Sequence, residues 1–108
     1  MRIATWNCQG AFRKKAKLLA HFAPDIAIIQ ECESPARLLF PGDVPQPTSV
    51  HWFGERDSKG IAILSYTGWR FTLDEAYDPA IRYCVPLRVA GAAADLHLVA
   101  VWAMGHPD

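Results

Sequence analysis

The sequence predicts an α/β fold whose mixed sheet has one parallel crossover followed by antiparallel hairpins. Two runs of strand formers, residues 2–7 and 25–31, are separated by a helix-length amphipathic segment, so they are most simply parallel neighbours joined by a right-handed crossover. From residue 48 onward, strand-forming runs follow one another across short polar or glycine-bearing connections, which is hairpin spacing. A length of 108 residues with 51% hydrophobic and 20% charged content suits one globular domain with a modest core.

The first strand, Arg2-Ile3-Ala4-Thr5-Trp6-Asn7, and the second, Asp25-Ile26-Ala27-Ile28-Ile29-Gln30-Glu31, both stop at polar residues, and the second has an apolar centre suited to burial on both faces. Parallel neighbours end at the same sheet edge. Asn7 and Glu31 are therefore expected at one carboxyl rim, where open α/β sheets hold their ligands. Between the strands, residues 11–23 put Phe12, Ala16, Leu19, Ala20 and Ala23 on one helical face and Arg13, Lys14, Lys17 and His21 on the other, with Pro24 as the stop. Gly10 is the best cap on offer. Arg13, Lys14 and Lys15 load the first turn with charge that opposes the helix dipole, at about 0.3–1 kcal/mol per exposed charge. A basic first turn at the rim could draw a phosphate-bearing substrate; a solvated basic face is the plainer alternative.

Residues 32–47 read as a proline-rich loop in which Ser34-Pro35 can start a short helical turn through Leu39. Residues 48–54 and 60–65, joined by a polar connection over 55–59, predict an antiparallel hairpin, with His51 as a packed histidine in its aromatic run. Residues 69–73 and 81–90 are further strands, and Pro86 confines its strand to an edge or a bulge. Residues 91–95 turn the chain into residues 96–104, giving a second hairpin.

Formal charge is zero, so no overall basic field announces nucleic acid and any attraction for phosphate is local. Cys8, Cys32 and Cys84 are odd in number and widely spaced, as expected for reduced thiols in a cytoplasmic protein. No basic leader with a long apolar run is present. The longest uninterrupted apolar run, residues 98–104, is far too short for a membrane span.

Thr5-Trp6-Asn7 followed by Ile28-Ile29-Gln30-Glu31 resembles the opening of the endonuclease/exonuclease/phosphatase superfamily, the deoxyribonuclease I-like metal-dependent phosphoesterases. Lys59-Gly60-Ile61-Ala62-Ile63-Leu64-Ser65 is similar to that family's central strand. The resemblance covers only the N-terminal portion of such a domain, and implies the N-terminal lobe of a four-layer α/β/β/α sandwich. It makes Glu31 the magnesium-binding glutamate and Asn7 the asparagine beside the metal, with manganese as a substitute. One carboxylate is chemically adequate, because magnesium keeps several of its waters. Glu33, two residues on, is expected to face solvent, with support of Glu31 as the alternative. The resemblance also places Arg82 near the substrate and His106, out of register, as a phosphate contact.

The chain departs from the family where Trp102 stands in place of a histidine or tyrosine, since an indole only donates and cannot carry a proton. The family's Gly-Asp-x-Asn and Ser-Asp-His segments do not occur, and Gly42-Asp43-Val44-Pro45 lacks the asparagine. Phosphodiester hydrolysis needs a polarising metal, an activated water and stabilised phosphate oxygens, and only the first is offered. The expected function is a magnesium-dependent phosphodiester or phosphomonoester hydrolase, nuclease-like on DNA or RNA, truncated and nearly inactive alone. A half-made sandwich would also expose one sheet face and an open edge, through which copies could self-associate. The alternative is a non-catalytic interaction or nucleic-acid-binding module that keeps the sheet and uses Arg13, Lys14, Lys15 and Lys17.

Overall fold

Strands β1 (Ile3–Asn7) and β2 (Ile26–Cys32) run parallel, pairing Ile3 with Ile26 and Asn7 with Gln30, in a computed structural model that describes residues 1–92 and 94–104. Strands β3 (Ser49–Arg56) and β4 (Lys59–Ser65) form the first hairpin. Strand β4 then inserts antiparallel beside β2, so the four-stranded sheet has the order β1-β2-β4-β3. Strands β5 (Arg70–Leu73), β6 (Cys84–Ala90) and β7 (Asp95–Val101) make a separate antiparallel sheet in the order β5-β6-β7.

The apolar residues of β2 and β4 alternate between two cores, which explains why both strands read as continuous apolar runs. Ile26, Ile28, Ile61 and Ile63 meet Phe71, Val85, Leu87, Val89 and Ala100 of the second sheet. Ala27, Ile29, Ala62 and Leu64 meet Phe12, Ala16, Leu19 and Leu38 on the opposite side. Each fully buried isoleucine or leucine is worth about 1.5–3 kcal/mol. The layers are thus a thin helical layer, a four-stranded mixed sheet and a three-stranded antiparallel sheet. Among the described residues no fourth layer covers the second sheet, whose outer face leaves Val99 53% and Val101 50% exposed. No helix is long and apolar enough to cross a membrane, which says nothing of strand-built barrels.

The helix predicted over residues 11–23 is much shorter. A single 3₁₀ turn, Phe12–Lys14, precedes helix α1 (Ala16–Ala20), with Lys15 breaking the two apart at φ −118°. Phe12, Ala16 and Leu19 are buried as the periodicity requires, whereas Ala23 is exposed and takes a left-handed φ of 44° ahead of Pro24. With no Ser, Thr, Asp or Asn to cap it, the segment lacks the local bonds that would hold a long helix.

Pro86 lies in the middle strand of its sheet rather than at an edge. The β5 ladder ends at Leu73 opposite Leu87, one residue short of Pro86, so no strand on that side requires its missing N–H. In the first hairpin, Trp52 lies over Gly54 and Gly60. A Cβ on Gly60 would come within 2.5 Å of the Phe53 carbonyl oxygen and of the indole, so only glycine fits there. His51 packs edge-on against Phe71, with ring centroids 5.4 Å apart.

Candidate functional site

The parallel register brings the ends of β1 and β2 side by side, and a bulge finishes β2. Gln30 pairs with Ile61 and Cys32 with Gly60, which leaves Glu31 without a partner on β4. Glu31 adopts a left-handed φ of 59°, a conformation that costs a non-glycine residue about 1–2 kcal/mol. The bulge has a clear consequence. Ala27 and Ile29 face the helical layer, so strict alternation would send Glu31 into that core; the extra residue lets Cys32 fill the position instead. The carboxylate swings out to the rim. The carbonyls freed there are satisfied, Glu31 by the Cys8 thiol at 3.5 Å and Cys32 by the Trp52 indole at 3.0 Å. Gln9 and Ala11, in the loop leaving β1, also have positive φ, at 60° and 50°, so strained backbone gathers at this rim.

Asn7 and Glu31 meet. Asn7 Nδ2 donates to Glu31 Oε2 at 2.7 Å, while Asn7 Oδ1 accepts the Gln9 backbone N–H at 3.1 Å. The side-chain amide is thereby locked with its nitrogen toward the carboxylate. Lys59 Nζ stands 3.2 Å from Glu31 Oε1. The hydrogen bond from Asn7, with the Lys59 ammonium and a smaller contribution from the Trp102 indole, outweighs desolvation and holds the Glu31 carboxyl below its ordinary range. Gln30 Nε2 donates both to Thr5 Oγ1 and to the Val101 carbonyl, each at 3.0 Å, and so ties the second sheet to the same rim.

Glu33 is the main correction to the sequence reading. It is 1% exposed rather than solvent-facing, and accepts from the backbone N–H of Phe12 at 2.7 Å, the backbone N–H of Arg13 at 3.3 Å and the Arg13 guanidinium at 2.6 Å. It is the missing cap of the 3₁₀ turn, supplied from the end of β2. Burial pushes its carboxyl up, but the bonds from its own backbone, Arg13 and Phe12 bring it below the ordinary value. Arg13 is consequently a partner of Glu33 rather than a free phosphate ligand. Lys15 donates to the Cys8 carbonyl and Lys17 pairs with Asp43 at 3.4 Å, leaving Lys14 exposed and without an ion pair among the described residues.

Arg82 forms an ion pair with Glu55 beside a groove of about 280 Å³, lined by Glu55, Arg56, Ser58, Lys59, Tyr83, Trp102 and Met104. Lys59 belongs both to this groove and to the Glu31 pair, so Arg82 and Glu31 stand on one side of the molecule. His106 lies outside the described residues. Lys59 was missed by sequence reasoning, although a signal existed: the first residue of a strand antiparallel to β2 must lie beside the last residues of β2.

The rim is not a closed protein cage, and a cation held here would have to keep most of its waters. Among the described residues no group of three or more His, Cys, Asp or Glu side chains converges. An ionised Glu31 offers oxygen to a cation that keeps its waters and takes further ligands from a substrate phosphate, on condition that Lys59 leaves Oε1. Asn7 Oδ1 is engaged by Gln9, so Asn7 acts here by orienting Glu31. No family model matches the chain, and neither a curated protein nor a solved structure matches it.

Proposed function

We propose that the chain is the N-terminal lobe of a four-layer sandwich of the endonuclease/exonuclease/phosphatase type, a magnesium-dependent phosphoesterase acting on a phosphate ester of DNA or RNA. The observation that carries this reading is the bulge at Glu31. Backbone strain is spent on keeping one carboxylate out of the core and on the rim, where an asparagine from the parallel neighbour fixes it. The motif Thr5-Trp6-Asn7 with Ile28-Ile29-Gln30-Glu31 supports the same assignment.

In this reading Glu31 holds the magnesium and Asn7 orients Glu31. The metal, when bound, supplies positive charge for the phosphate oxygens and a more acidic water. Lys59, whose ammonium has two donors left beyond its contact with Glu31, would neutralise a phosphate oxygen; Arg82 and Lys14 would add positive charge farther out. Three free cysteines support a reducing compartment such as the cytoplasm.

A second reading, a phosphate-binding module without turnover, is favoured by one observation. No side chain placed to activate a water stands beside Glu31 among the described residues, where the neighbours are an amide, an ammonium and an indole that only donates. Thermal melting in rising magnesium or manganese separates a metal site from a bare ion pair. The wild type is expected to melt higher with metal, and Glu31→Ala to be indifferent to it. Identical behaviour of the two proteins would contradict the metal assignment.

A further inference from the structure

We propose that the groove beside Glu31 is a base-stacking subsite for single-stranded nucleic acid, with Tyr83 and Trp102 as its platform and Lys59 as the phosphate contact at its mouth. The proposal rests on the reading of the rim as a phosphoester site and names the substrate class that site would take. Tyr83 and Trp102 are cross-strand partners just beyond the last pair of β6 and β7, with the Trp102 N–H donating to the Tyr83 carbonyl at 3.1 Å. Their rings stack at 5.4 Å and 10°, and both stay half-buried. Both side chains pack against the core between the sheets, and both line the groove.

Three features choose the occupant. The outer face of a stacked aromatic pair accepts any base through its π-system, whatever the sequence. The cavity of about 280 Å³ suits one planar ring rather than a duplex. Among the lining residues and their ion-pair partners, Arg56, Lys59 and Arg82 stand against Glu31 and Glu55, three cations to two carboxylates, so the local balance is positive in a chain of zero net charge. Lys59 links the parts, since it lines the groove while its ammonium touches Glu31. A base on the platform would thus leave its phosphate facing Lys59 and the rim. An inositol phosphate or lipid head group has no planar aromatic ring to stack, and an indole that only donates has no acid–base work to do beside Glu31.

The test is fluorescence anisotropy of a labelled eight-residue oligothymidylate in EDTA at low salt, against an abasic oligomer of equal length and charge. The wild type is expected to prefer the thymidylate about tenfold, as one stacked base implies. Trp102→Ala and Tyr83→Ala are expected to lose the preference and Trp102→Phe to keep part of it. Lys59→Ala should weaken both oligomers alike and flatten the salt dependence. Equal affinity of the wild type for both oligomers, a result that needs no variant to fold, would overturn the subsite. Stronger competition by inositol hexakisphosphate than by unlabelled thymidylate would overturn the substrate class. Because the assay contains no metal, its failure with an intact magnesium melting shift removes the subsite and leaves the phosphoesterase reading standing. The opposite pattern does the reverse.

Discussion

Glu31 and Glu33 are two residues apart and have opposite fates. Glu31 is turned outward by its bulge, and Glu33 is turned inward to collect two backbone N–H groups and a guanidinium. Arg13 keeps 37% of its side chain in water, so removing Glu33 does not strand a fully buried charge. The cost of Glu33→Ala is therefore expected to be that of unsatisfied buried donors, about 1–3 kcal/mol, rather than the larger penalty of a broken buried pair. Its pH dependence has a definite sign. A carboxyl lowered in the folded state contributes stability that is fully present above its unfolded value, about 4.3, and is lost as pH falls through the lowered folded value. Urea unfolding between about pH 5 and pH 3 is expected to show a steeper loss for the wild type than for Glu33→Gln. Parallel slopes would contradict the assignment. Inspection of the sequence could have found this acceptor. A helix start with no capping side chain and three consecutive cations, Arg13, Lys14 and Lys15, demands an acid from elsewhere, and Glu33 follows directly after the strand that ends at the same rim.

Strand β2 shows how much an element's pattern reveals. Its parallel pairing with β1 and its burial on both faces were legible, because a run such as Ile26-Ala27-Ile28-Ile29 has no polar face to offer solvent. The bulge was not legible, since nothing in Gln30-Glu31-Cys32 marks a left-handed residue as glycine would. Its energetics can be isolated by comparing Glu31→Gly with Glu31→Ala, which both delete the carboxylate and differ in the cost of φ 59°. The glycine variant is expected to be the more stable by about 1 kcal/mol in denaturant unfolding. Equal stability would mean that the backbone is not strained there. The helix over 11–23 was over-read for a related reason: periodicity specifies which residues face inward, and it does not supply the caps that fix helix length. Lys59 was hidden by the uncertain end of the hairpin connection, since a shift of one residue moves it from turn to strand.

At the scale of the whole molecule, the central four-stranded sheet carries a core on each side, and β1 and β2 end together at one rim of it. The second sheet closes one side of that rim through Gln30 and Val101 and supplies the aromatic pair of the groove. Its outer face, with Val99 and Val101 exposed, is the surface through which the self-association expected from the sequence would act. The pairing of β1, β2 and β4 and the packing of the second sheet against them thus gather Asn7, Glu31, Lys59 and Trp102 from four distant stretches of chain. The decisive measurement is a manganese titration followed by ¹⁵N–¹H NMR. Paramagnetic broadening is expected to begin at the Asn7 side-chain amide and the backbone amides of Cys8, Gln9 and Cys32, and to vanish in Glu31→Gln. Broadening that starts elsewhere, for example around Asp74 and Asp78, or that survives Glu31→Gln unchanged, would contradict a cation site at this rim.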